Sequence, residues 1–190
     1  PKFKVVLSKN IGMGAGNNIG LKRCKTEYAY VLNPDTKLNN ETIHNLLKSL
    51  NKIKDFTLAS AINDNPKIPN YKFYEVSEEN EEFLSVDSID GFSMFFNLKK
   101  FTDNNFFDEN FFLYLENDDL CLRIKKNGGN IYVVKNSTIN HKGSISKNNN
   151  LEYLRNWHWM WSKFYFNKKH FGFFTALTKI FLNLLSSIFR

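Results

Sequence analysis

Residues 4–36 read KVVLSKNIGMGAGNNIGLKRCKTEYAYVLNPDT, and the fold turns on how this run divides. Val5, Val6 and Leu7 are consecutive and apolar, which predicts a short buried strand over 4–7. The Gly- and Asn-rich segment after it has the punctuation of a turn opening into a helix that ends near Lys25. A second apolar run, Tyr28 to Leu32, is halted by Asn33 and Pro34, because proline cannot donate to a strand ladder. Strand, glycine turn, helix, strand is a βαβ unit, and such units build parallel sheets.

The alternation continues downstream. Asn40 stands as a cap before ETIHNLLKSLNKI, where Ile43, Leu46, Leu47 and Leu50 fall on one helical face, and DFTLASAI returns as a strand. Residues 63–80 are rich in Asn, Pro, Lys and Glu and predict a long polar loop with a local hairpin. Past Gly91, SMFFNLKKF predicts a strand and a short helix, NFFLYL a continuous apolar strand, and NIYVVKNSTINH a last strand before a Gly-Ser loop. An α/β domain over 1–150 follows, with 151–190 set apart as an aromatic and basic tail of membrane-proximal helices.

Composition narrows the class. The chain has 190 residues, 42% of them hydrophobic, enough for one core and too many for a disordered chain. Two cysteines, Cys24 and Cys121, lack metal-ligand spacing and the density of a disulfide scaffold, which fits a reducing, cytoplasmic compartment. A formal charge of +7 suits a partner bearing phosphates. The tail holds all three tryptophans, at 157, 159 and 161, and residues 171–189 are an apolar stretch interrupted by Lys179, Asn183 and serines. That pattern predicts amphipathic packing on a membrane surface rather than a crossing, or else two helices covering the domain's own sheet.

Four stretches carry candidate chemistry, and each has a plain structural reading beside it. Asp35 lies just past the carboxyl end of a predicted strand, where open sheets bind ligands, yet NPDT is also a favoured turn. NIGMGAGNNIG could cradle phosphate at a helix start, but it has neither a Walker ending nor a full dinucleotide motif. His141 is a competent metal or phosphate partner, or a solvated loop residue. In YLENDDLCLR, residues 114–123, Glu116 and Asn117 sit at an N-cap, Asp118 and Asp119 complement the helix dipole, and Lys125, Lys126 and Gly128 close the helix. Capping explains those acids without chemistry, while clustered carboxylates in a cleft are also where a general base is tuned.

Taken in order, NIGMGAGNNIGLKRCKTEYAYVLNPDT, DGFSMFFNLKKF, FFDENFFLYLENDDLCLRIKKNGG and STINHKGSIS resemble the motif series of the rhamnosyltransferase-like branch of the family-two glycosyltransferases, over residues 10–169. The resemblance implies a GT-A fold with a mostly parallel central sheet, flanked by helices, whose first βαβ segment would lie upstream of Pro1. It implies an inverting transfer of a sugar from a nucleotide-diphosphate donor to a saccharide or lipid-linked acceptor, in cell-surface polysaccharide synthesis at the inner membrane face. Asn10, Gly12, Asn18, Asn33 and Asp35 would then serve the donor. Asp35 and His141 would hold a divalent cation, Mg²⁺ or Mn²⁺, and Asp90, Gly91 and Asn117 would border the acceptor. The acids of YLENDDLCLR would supply the base. Asn117 occupies the position where the family commonly has it and cannot usefully accept a proton, which moves the role to Asp119, then Glu116 or Asp118. No nucleic acid is expected as a partner. The competing expectation is an inactive, basic module that binds a membrane or nucleic acid.

Overall fold

The computed structural model describes residues 3–53, 55–73, 80–141 and 149–188. In chain order these form α1 (Met13–Leu21), β1 (Tyr28–Leu32), β2 (Thr36–Leu38), α2 (Thr42–Leu50), β3 (Leu58–Asn63), β4 (Tyr71–Lys72), β5 (Phe83–Ser85), β6 (Ser88–Ile89) and β7 (Ser93–Asn97). Then come α3 (Glu116–Lys126), β8 (Ile131–His141), α4 (Asn149–Phe171) and α5 (Phe173–Ile188). The Gly-Ser loop expected after His141 lies outside the described residues.

The chain is α/β, and its main sheet is mixed rather than mostly parallel. Its order is β1-β7-β3-β8-β2, with β5 also on β8. Only β3 and β8 run parallel; β1 with β7, β7 with β3, and β8 with both β2 and β5 are antiparallel. Apolar runs identify strands by burial, but strand direction is decided by partners far away in sequence. The first predicted strand is also absent. Residues 3–11 carry no regular structure and Leu7 is 92% exposed, because β-propensity without a ladder partner does not make a strand.

The chain divides into two compact units. One draws on Cys24–Phe106 and Asn117–Ser146 and holds the sheet. Its main cluster joins Leu46 and Leu50 of α2 to Phe56, Ala59, Phe83, Phe95, Tyr132 and Val134. Ile43 and Leu47, expected beside Leu46 and Leu50, stay partly exposed, and Thr42 and Ser49 are buried instead. The cause is β8, whose pairing with β3 jumps from Ala61↔Val134 to Ile62↔Thr138. The bulged residues dock on α2: Ser137 Oγ donates to Thr42 O at 2.7 Å, Ser49 Oγ to Asn136 Oδ1 at 3.2 Å, and Asn45 Nδ2 to Asn136 O at 2.8 Å. Hydrogen bonds to the bulge, rather than apolar spacing, therefore set the inward face of α2. Its start is organised by Thr42, whose Oγ1 accepts from Asn39 N, and not by the predicted cap Asn40.

A buried polar relay ties the strands together. Tyr30 OH meets Ser93 Oγ at 3.0 Å, Ser60 Oγ donates to Ser93 Oγ at 3.1 Å, and Asn70 Nδ2 donates to Ser60 Oγ and Ala61 O. Asn70 Oδ1 accepts from Asn63 N at 2.9 Å, so this one side chain pins the polar excursion to β3. In place of the local hairpin expected within 63–80, β4 pairs antiparallel with β6, which lies beyond that stretch and past β5; residues 74–79 are outside the described set.

The other unit draws on Pro1–Arg23, Phe107–Glu116 and Lys147–Arg190. NFFLYL, expected as a strand, is irregular, and Tyr114 and Leu115 are left-handed at φ 73° and 64°. Each of its groups is used singly. Phe111 is buried against Tyr165, Phe112 stacks on His158, Leu113 O accepts from Ser162 Oγ, and Tyr114 meets Trp159 edge-on. Gly12, at φ 98°, lets the backbone close on Phe112, where a Cβ would lie 2.6 Å from the carbonyl oxygen. Asp108 is the polar anchor, accepting from Tyr165 OH at 3.0 Å and Lys169 Nζ at 2.7 Å. Burial opposes its charge, but Lys169, Asn110 and Tyr165 outweigh burial and hold the carboxyl down at about 2. Among the described residues no helix is long and apolar enough to cross a membrane.

Asn70→Ala should lower stability by about 2–3 kcal/mol, because it strands several buried partners at once. Urea unfolding measures it, and a loss under about 0.5 kcal/mol would remove Asn70 from this role.

Candidate functional site

NPDT is a turn, and the turn presents Asp35. Thr36 closes it twice on the Asn33 carbonyl, through its backbone N–H at 3.1 Å and its Oγ1 at 2.6 Å. Asn33 N donates to Phe92 O at 3.0 Å, fixing the turn to the segment before β7. β2 begins immediately after, and its register with β8 pairs Thr36 with His141. Two motifs about a hundred residues apart therefore meet: His141 Nε2 lies 3.4 Å from Asp35 Oδ1. The imidazole lies flat on Phe92, with centroids 4.1 Å and planes 11° apart, so its orientation is set by packing.

His141 and Phe92 open on a cleft of about 370 Å³, lined also by Asn63, Asp64, Asn65, Ile68, Asp90 and Asn140. Asn140 Nδ2 donates to both oxygens of Asp64, at 3.1 and 2.9 Å. Sequence reading missed Asn63, Asp64 and Asn140. The signal was present, since Asn63 ends β3 and the carboxyl ends of strands are where open sheets bind ligands. Asp90 follows β6, with Gly91 between it and Phe92, and its backbone N–H donates to Asn70 O at 2.9 Å. Burial raises the Asp90 carboxyl above its ordinary range, Asp118 adds to this, and Lys72 and His141 oppose it. A carboxyl raised by burial in a cleft is suited to taking up a proton.

The acids of α3 divide differently from expectation. Asp119, favoured as the base, is fully buried and faces Arg123, whose Nε donates to its Oδ2 at 2.9 Å. The same guanidinium reaches Asn105 O at 3.2 Å and Phe106 O, so the pair ties α3 to the preceding loop. Asp118 accepts from Lys72 Nζ at 3.2 Å and is the α3 acid that bears on Asp90. Asn117 Nδ2 donates to Ile89 O at 3.0 Å, a bond that an aspartate carboxylate could not donate. Cys121, beside the same strand, is fully buried, and burial pushes its thiol up to about 12.

Four candidates belong to the other unit. Glu116 is buried there. Asn10 Oδ1 accepts from Gly12 N at 3.3 Å. Asn18 is buried and spends its amide on structure, donating to Phe107 O and Glu109 Oε1 and accepting from Phe107 N. No group of three His, Cys, Asp or Glu suited to caging a metal occurs among the described residues. Asp35 and His141 could supply two ligands, and an ion held there would have to complete its shell with other oxygen donors such as water. No protein-family model matches the chain, and no curated protein matches it either.

Because the native Asp90 carboxyl is raised, the folded chain holds that proton more tightly than the unfolded one. Its stabilising contribution is complete below the unfolded value and is lost as pH rises through the native one. The stability of the wild type relative to Asp90→Asn should therefore fall as pH rises from about 4, read by thermal melts across pH. A difference flat with pH would contradict the assignment. Asn117→Asp should cost about 1–2 kcal/mol by setting a carboxylate against the Ile89 carbonyl, and an unchanged urea midpoint would disprove that clamp.

Proposed function

We propose that the chain carries a GT-A-type sugar-transferase site, in which Asp35 and His141 face the diphosphate of a nucleotide-sugar donor and Asp90 receives the acceptor's proton. The observation that carries this reading is the β2–β8 register, which gathers an aspartate and a histidine from separate motifs beside a cleft that also holds the half-buried carboxyl of Asp90. The motif order described above supports the same reading.

In the proposed reaction the acceptor hydroxyl attacks the anomeric carbon, the carbon–oxygen bond to the diphosphate breaks, and one displacement inverts the centre. The hydroxyl proton passes to the Asp90 carboxylate, whose environment favours the protonated form. Phe92 holds the His141 ring in place, and the turn closed by Thr36 holds Asp35. A divalent cation bound at Asp35 and His141 would neutralise charge on the departing diphosphate. Asp119 keeps a positioning role in this scheme, because its carboxylate is committed to Arg123.

A second reading, a basic module without turnover, draws on the ion pairs that already occupy Asp118 and Asp119. Calorimetry with uridine, guanosine and thymidine diphosphate sugars, with and without Mn²⁺, separates the two. Transfer predicts Mn²⁺-dependent binding that Asp35→Ala weakens about 10–100-fold, whereas Asp90→Asn retains binding and loses turnover. Binding indifferent to Mn²⁺ and to Asp35→Ala would defeat the proposed donor corner.

A further inference from the structure

Along α4, Trp157, Met160, Trp161 and Phe164 recur at helical spacing, and with Ile180 of α5 they line an apolar groove of about 190 Å³. Another side of α4 is already occupied, by Ser162 on Leu113, Tyr165 and Lys169 on Asp108, and His158 on Phe112. α5 follows a break at Gly172, φ 92°, and packs Phe173 edge-on against Phe164. Phe174, Leu177 and Phe181, at i, i+3 and i+7 of α5, form a second apolar stripe, 82%, 44% and 61% exposed. Groups of exposed aromatic side chains on one helix pair are a mark of an interaction surface.

Charge indicates what covers it. Residues 149–190 carry six Lys and Arg against one Glu. Lys168 extends the Trp157–Trp161–Phe164 stripe by one more helical step, and Lys179 lies over the Phe171 ring at 5.2 Å. A second copy of the chain would bring the same positive charge to the interface, which disfavours self-association. An anionic lipid surface complements that charge, and an aromatic belt with lysines is the composition that settles at a membrane interface.

We propose that the α4–α5 face is an interfacial docking surface for an anionic bilayer. Trp157, Trp161, Phe174 and Phe181 enter the boundary between headgroups and acyl chains, and the lysines meet lipid phosphates. This face binds membranes whether or not the cleft transfers a sugar.

The test is co-flotation of the full chain with phosphatidylcholine vesicles that contain or lack phosphatidylglycerol. It is read alongside tryptophan emission, because all three tryptophans lie on α4. Flotation should be at least about tenfold greater with phosphatidylglycerol, with blue-shifted emission that brominated acyl chains quench. Phe174→Asp/Phe181→Asp should lower flotation by about tenfold with helical content unchanged, since both rings are exposed. Equal flotation of this variant and the wild type would overturn the proposal, as would emission untouched by brominated lipid. A chain that ignores vesicles, elutes as a dimer and becomes monomeric in the variant would also overturn it, and would assign the face to a second copy. Quenching in the wild type decides the matter even if the double variant misfolds.

Discussion

Three residues of β8, Lys135 to Ser137, are skipped in its pairing with β3, and the sheet-bearing unit depends on that bulge. Before it, Tyr132 and Val134 complete the main core cluster; after it, Ile139 packs with Ala61 and Phe92 and the strand ends at His141. The extra residues are held rather than loose. Ser137 and Asn136 bond to α2, and Lys135 N donates to Glu82 O at 2.8 Å. Because strand faces alternate with period two, an odd insertion re-phases every later side chain against β3. Without it, the β2–β8 register that brings His141 to Asp35 would be different.

At the start of α3, capping and ion pairing share one set of residues. Asp118 and Asp119 do complement the start of α3, and they are also committed to Lys72 and Arg123. Asn117 is spent as a donor to Ile89, so its amide has a structural reason that a carboxylate would not satisfy. The cleft itself is lined by Asp90, raised by burial, and by His141, with Asp35 beside the imidazole. The relay of Tyr30, Ser93, Ser60 and Asn70 supports that arrangement from below, since Asn70 anchors the Asp90 backbone while bonding to β3. Fully satisfied buried polar networks of this kind fix a single packing.

In the second unit the aromatic residues have two destinations. Phe111, Phe112 and Tyr114 pack on α4, where Asp108 adds a charged anchor through Tyr165 and Lys169. Asp108 lies in the FFDENFF stretch quoted for the family resemblance, and here it is a clasp. The remaining aromatic surface of α4 and α5 faces outward beside lysines. Together with the shortage of acids in 149–190, that exposure separates this surface from an ordinary core face.

Local chemistry by itself determined the helices α2 and α3, the strands β1, β3, β7 and β8, the NPDT turn and the helical tail, because periodicity, turn residues and capping act within a few residues. Asp90 entered only through the family resemblance, whereas local chemistry also brought Asp35 and His141 forward as candidates. It could not supply strand direction, which made the sheet mixed, nor a ladder partner for residues 4–7, nor the left-handed path at Tyr114 and Leu115. It could not show that Asp119 faces Arg123, or that Asn63, Asp64 and Asn140 line the cleft. Those outcomes belong to the tertiary structure because each is settled by a partner distant in sequence: a strand register, a bulge seated on a helix, or a backbone carbonyl waiting for a donor.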